Sequence, residues 1–142
     1  MKKTILLSIL LATATFAMEG KKMTVYKSPY CGCCTKWIDI MKNKGFNLEV
    51  ITTNNINEIK IKSGINRQTA SCHTAFVDGY VIEGHVNYSA IKTMLKTKAN
   101  IIGLAVPGMP IGSPGMEQNN IKQAYNILAI KKNGSLEIYE KH

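Results

Sequence analysis

The chain has 142 residues, of which 45% are hydrophobic and 19% charged, and it carries a net charge of +9. That length suits one domain with its own core, and no repeat at a period of roughly 20 to 50 residues is visible. The positive excess is lysine scattered along the chain, with Arg67 the single arginine, so it reads as a solvated basic surface and argues against a nucleic-acid site.

In chain order, Lys2 and Lys3 form a basic start, Thr4 to Phe16 an apolar and small-residue run, and Thr15-Phe16-Ala17 a cleavage-type ending. Residues 1–17 are therefore expected to be a secretory signal peptide, and 18–142 a single mature domain in the periplasm. The apolar run is too short and too threonine-rich for a membrane-spanning helix, so no stable membrane insertion is expected after cleavage. Met23 to Lys27 alternates as a strand does, and Ser28-Pro29-Tyr30-Cys31-Gly32-Cys33-Cys34 follows it. Cys34, Trp37, Ile38 and Met41 then fall at the i, i+3, i+4, i+7 spacing of a helix, which Gly45 ends. Asn47 to Thr52 reads as a second strand, and Asn55 as the cap of a short helix from Ile56 to about Lys62. Asp78-Gly79 between two β-branched and aromatic runs, Thr74 to Val77 and Tyr80 to Glu83, predicts a two-residue hairpin. Asn87 or Ser89 caps a helix through Ile91, Met94 and Leu95. A Gly/Pro-rich loop is expected over Gly103 to Gly115, and a last hairpin over Ala124 to Lys131 and Ser135 to Glu140 across Asn133-Gly134.

Three of the four cysteines lie within four positions on the first strand-to-helix turn. Cys33 and Cys34 enter the helix's first turn, where unpaired N–H groups and the helix dipole favour thiolate. A thiolate serves equally as a redox nucleophile and as a soft metal ligand. In an oxidising compartment four cysteines suggest disulfides, and Cys31 with Cys34 is the feasible local pair, since adjacent Cys33 and Cys34 would need a strained ring.

The order strand, helix, strand, helix, hairpin, helix, with a cysteine cluster after the first strand, is that of an α/β, thioredoxin-like fold. In such folds the segment before the hairpin, usually ending in a cis-proline, lies against the cysteine turn. Here Ser71-Cys72-His73 stands at that place without a proline. The fold thus predicts that Cys72 and His73 join Cys31, Cys33 and Cys34.

Several motifs together resemble the CopG copper-resistance family of periplasmic proteins. They are Tyr26-Lys27-Ser28-Pro29 with Cys31-Gly32-Cys33-Cys34, Ser71-Cys72-His73-Thr74-Ala75, Gly79 through Val86, and Gly103 through Glu117 with its Pro107-Gly108-Met109 and Pro114-Gly115-Met116. The resemblance covers Met23 to Glu117 in the family's order. It implies a thioredoxin-like fold that binds several copper ions through bridging cysteines, working beside other periplasmic copper-handling proteins.

The residues support the same metal. Thiolate and thioether select copper(I), and bridging sulfurs let few thiolates hold several ions. Zinc sites more often use two separated Cys-x₂-Cys knuckles than one crowded turn. Met109 and Met116 are candidate thioether ligands or a guard over the cluster, with hydrophobic filler as the alternative. His73 is a ligand or supports one, His85 follows the hairpin and reaches toward the same end of the sheet, and His142 is solvated. Met41, Met94 and Trp37 read as core. The expected function is copper(I) binding for resistance or homeostasis, with enzymatic redox turnover left open. The alternative is a periplasmic thiol-disulfide or copper-linked oxidoreductase, with Cys31 as nucleophile and Cys34 as resolving thiol.

Overall fold

A computed structural model describes residues 19–142, so the expected leader at 1–17 lies outside the described residues. The elements are β1 (Lys22–Lys27), α1 (Gly32–Asn43), β2 (Asn47–Thr52), α2 (Ile56–Lys62), β3 (His73–Val77), β4 (Tyr80–Glu83), α3 (Tyr88–Thr97), β5 (Gly103–Ala105), β6 (Asn126–Ile130) and β7 (Leu136–Lys141). The fold is mixed α/β, and through α3 it has the expected β-α-β-α-β-β-α order. The closing hairpin, β6 with β7, is also present. The loop expected from Gly103 is corrected at its start: Gly103–Ala105 is a strand, pairing parallel to β4 and antiparallel to β6. Gly103 permits this approach, because a Cβ there would sit 1.8 Å from the Val81 carbonyl oxygen.

Among the described residues the seven strands form one sheet in the order β2-β1-β3-β4-β5-β6-β7. β1 is parallel to β2 and antiparallel to β3, with Lys27 opposite His73. That register matters for the site. β1 runs into the cysteine turn just after Lys27, and β3 begins directly across from it, so Cys72 is delivered beside the turn.

Alternation along the strands divides the sheet into two faces. Met23 and Val25 of β1, Ala75 and Val77 of β3, and Ile82 of β4 bury against Trp37, Ile38 and Met41 of α1 and Ala90, Ile91, Met94 and Leu95 of α3. The opposite face carries Phe76, Val81, Ala105 and Ile130 around Ile65. α2 lies on this side, its Lys60 reaching Thr74 and Glu83. Trp37, Met41 and Met94 are fully buried, as expected of core residues.

Local signals act through named contacts. Asp78 and Gly79 both take positive φ, 48° and 80°, which the tight β3–β4 hairpin requires. Asn87 caps α3 by accepting from the Ala90 N–H at 2.7 Å. Asn55 occupies the corresponding place in α2 but makes no side-chain cap. Its own N–H is instead taken by Thr53 Oγ1 at 3.0 Å.

Candidate metal centre

Cys31 stands at the N-terminal boundary of α1, and Cys33 and Cys34 lie in its first turn. Cys31 and Cys34 form a disulfide with their Cα atoms 5.4 Å apart. Cys33 and Cys72 are free and half-buried, and Cys34 is fully buried. Cys31 Sγ and Cys33 Sγ lie 3.5 Å apart. The sulfurs of Cys31, Cys33, Cys34 and Cys72 all fall within 4.8 Å of one another. Once a two-electron reductant has opened the Cys31–Cys34 disulfide to two thiolates, the four sulfurs at that spacing are a soft donor set suited to copper(I).

The expected histidines arrive as well. Cys72, His73 and His85 form a second group with donor atoms within 4.8 Å, sharing Cys72 with the first. His73 Nδ1 is 3.3 Å and His85 Nε2 3.0 Å from Cys72 Sγ. Both rings are fully buried and meet edge to face, centroids 5.1 Å apart. Burial holds His73 well below the usual imidazole range, helped by the nearby His85, Lys60 and Lys27. Burial also lowers His85, against a smaller opposing effect of the Pro114 carbonyl. Neutral imidazole is the form that binds a metal. Burial, followed by the neighbouring Cys33, pushes the Cys72 thiol up to about 12. Without metal it therefore keeps its proton.

Of the two methionines, Met109 places its sulfur 4.0 Å from Cys33 Sγ and is half exposed, at 52%. Met116 makes no direct sulfur contact. It shares with Cys33, Lys36 and Gly115 a groove of ≈ 400 Å³ beside the cluster. Gly115 packs against the start of α1, where a Cβ would stand 2.9 Å from the Trp37 N and 3.3 Å from the Cys33 carbonyl oxygen. The Pro/Gly-rich loop thus lies on the cluster. His142 is apart from the site, pairing with Glu140 at 2.7 Å and stacking on Tyr125.

The residues that hold Cys72 in place were not legible in the sequence. Glu83, fully buried, accepts from Lys60 Nζ at 2.5 Å, the Ser71 N–H at 2.6 Å and Thr74 Oγ1 at 2.7 Å. Ser71 Oγ donates to the Gly108 carbonyl, tying the strand to the residue before Met109. Gly84 leaves the room this needs, since a Cβ there would meet Ser71 Oγ at 2.3 Å. The available signal was a glutamate closing the otherwise apolar run Tyr80-Val81-Ile82.

Two solved structures share this arrangement of elements. A structure named Copper resistance protein copG, form 2, superposes with a TM-score of 0.83 at 33% identity, covering 87% of this chain and 99% of its own. Form 1 gives a TM-score of 0.82, also at 33% identity, with 87% and 98% covered. The chain belongs to the CopG copper-resistance family. Residues 69–116, which span the Cys72 segment, both histidines and the methionine loop, also match a family described as Protein of unknown function, DUF411. No curated protein matches. In this chain the β1–β3 register sets the Cys72–His73 segment against the cysteine turn. Among the described residues no helix is long and apolar enough to cross a membrane.

Proposed function

We propose that this protein binds copper(I) for copper resistance or homeostasis, as a cysteine-bridged cluster of several ions on Cys31, Cys33, Cys34 and Cys72. His73, His85, Met109 and Met116 stand around those sulfurs as further donors or supports. The observation that carries the reading is the convergence of four cysteine sulfurs within 4.8 Å of one another, two of them joined in the Cys31–Cys34 disulfide, with a thioether and two neutral imidazoles at their edge. Shared thiolates are the economical way to bind more than one copper(I) with so few cysteines. Copper here is cargo, exchanged with other copper-handling proteins of the periplasm, and the leader at 1–17 carries the chain there.

The test is metal analysis of protein purified anaerobically after copper exposure, with a parallel count of free thiols. More than one copper per chain, with all four thiols protected, is the expected result. A copper-free protein with two free thiols overturns it. Intact mass of a periplasmic extract should show a chain beginning near Met18; retention of Met1 removes the periplasmic assignment.

The Cys31–Cys34 disulfide supports a second reading, a thiol-disulfide oxidoreductase in which partly exposed Cys31 attacks and buried Cys34 resolves. Cys33→Ser separates the two. An oxidoreductase survives it, because the Cys31/Cys34 pair is intact, while a bridged cluster loses metal.

A further inference from the structure

Lysines scattered along the sequence are gathered by the fold. α1 and α3 pack on the same face of the sheet. With their C-caps they carry Lys36, Lys42, Lys44, Lys92, Lys96 and Lys98. The chain has nine acidic residues, and Asp39 is the only one on either helix. Two others border the layer: Glu19 packs beside Gly45, and Glu140 is taken by Asn87 and His142. Among the described residues none of the six lysines is in an ion pair, whereas Lys21, Lys22, Lys62 and Lys131 elsewhere each meet a carboxylate.

The charge is densest where the two helices meet. Tyr88 opens α3, and its ring centroid lies 5.5 Å from Lys44 Nζ and 5.9 Å from Lys92 Nζ. Two cations thus share one ring with no carboxylate paired to either. The helix dipoles account for Lys42, Lys44, Lys96 and Lys98, which stand at C-terminal ends. They do not account for Lys36 or Lys92.

The same layer exposes no large apolar side chain. Tyr30, Val50, Ile61, Met109, Ile121 and Ile138, the exposed large hydrophobics, all lie on other elements. A protein partner needs an apolar centre to its interface, and an inserting helix needs an apolar outer face. A lysine face with neither suits an anionic bilayer, whose surface attracts each lysine by about 1 kcal/mol.

We propose that the α1–α3 layer adsorbs to an anionic membrane leaflet through lipid phosphates, with Lys44 and Lys92 on Tyr88 as its densest point. The contact is adsorption and not insertion. The cysteine turn stands at the N-terminal end of α1 and so at the end of this layer. None of the candidate copper donors takes part, so the contact goes beyond the copper reading and forms with or without metal.

Sedimentation with lipid vesicles tests it, using protein recovered from periplasmic extract. The protein should pellet with mixed phosphatidylglycerol–phosphatidylcholine vesicles at low ionic strength and stay in solution with phosphatidylcholine alone. It should be released at about 1 M salt, where screening acts within about 3 Å. Lys44→Gln with Lys92→Gln should weaken binding about thirtyfold, and Lys96→Gln alone about fivefold. Lys131→Gln with Lys132→Gln removes the same charge from the β6–β7 turn and should bind as wild type. Equal loss in the two double variants means that net charge acts and no particular face does, which overturns the proposal. Binding that survives high salt, or that occurs on phosphatidylcholine alone, also overturns it and points to a retained leader. Binding to polyglutamate or duplex DNA without binding to vesicles overturns it in favour of a protein or nucleic-acid partner. Should circular dichroism show the Lys44/Lys92 variant unfolded, Lys96→Gln decides the matter, and wild-type affinity there overturns the proposal.

Discussion

Cys33 and Cys34 owe their positions to the backbone of α1, whereas Cys72 owes its position to side chains from three separate elements. On the turn, two thiols are placed by consecutive helical residues, and Gly115 closes over them with no room for a Cβ. On the strand side, Cys72 follows a residue whose N–H is held by Glu83 of β4, itself paired with Lys60 of α2 and Thr74 of β3. A helix turn tolerates change in its surroundings, because its geometry is made locally. A segment held by a buried ion pair does not, because removing one partner strands the other charge.

The strongest way to break that contrast is Glu83→Ala. Lys60 is only 7% exposed, so losing its partner should cost about 3–5 kcal/mol and release the Cys72 segment. Urea unfolding gives the first quantity and the rate of Cys72 alkylation the second. A variant as stable as wild type would mean that the ion pair is not what fixes the strand half.

Cys33→Ser and Cys72→Ser compare the halves directly. Each should lose copper to a similar extent with the fold retained, since a site that loses one bridging ligand leaves its neighbours under-coordinated. The copper-to-protein ratio and far-ultraviolet circular dichroism of the metal-free variants measure this. Full copper retention by either removes that cysteine from the cluster, and an unfolded Cys72→Ser would make Cys72 structural.

Gly115→Ala acts on the turn half first. With φ at +86° and a Cβ 2.9 Å from the Trp37 N, the substitution should cost about 1–2 kcal/mol. It should lift the loop from α1 while leaving the Glu83 network intact. Equal urea midpoints for variant and wild type would show that the loop does not press on the helix.

The most gradual effect is one of pH. His73 titrates below its unfolded value of 6.5, so the unfolded chain binds more protons between the two pKa values. Stability of the metal-free protein is therefore complete above 6.5 and declines as pH falls beneath it, by up to about 1.4 kcal/mol per pH unit for this group. Unfolding midpoints at a series of pH values should show that fall in wild type and less of it in His73→Leu.

Much of the architecture was legible in local signals. The period of Cys34, Trp37, Ile38 and Met41 gave α1, Asp78-Gly79 gave the β3–β4 turn, and the Asn87/Ser89 pair gave the α3 cap, which Asn87 makes, because each depends on neighbours within a few positions. β5 was not legible. Three residues carry no periodicity, and Gly103 reads as loop until the Val81 backbone is known to lie against it. The bracing of Cys72 was hidden for the same reason, since Lys60, Thr74 and Glu83 stand on different elements and lysine and glutamate are ordinarily solvated.

The sequence by itself supplied the candidate donors, four cysteine sulfurs, two imidazoles and two thioethers, in an order that names the fold class and the family. Only the tertiary structure decided what each atom faces. The antiparallel register of Lys27 with His73 brought Cys72 to the cysteine turn, and the Pro114 carbonyl and the Trp37 ring gave two similar histidines different surroundings. Donor type is a property of a side chain and can be read one residue at a time. Tautomer, burial and hydrogen-bond direction belong to pairs of groups far apart in sequence, and they exist only once the chain has closed around them.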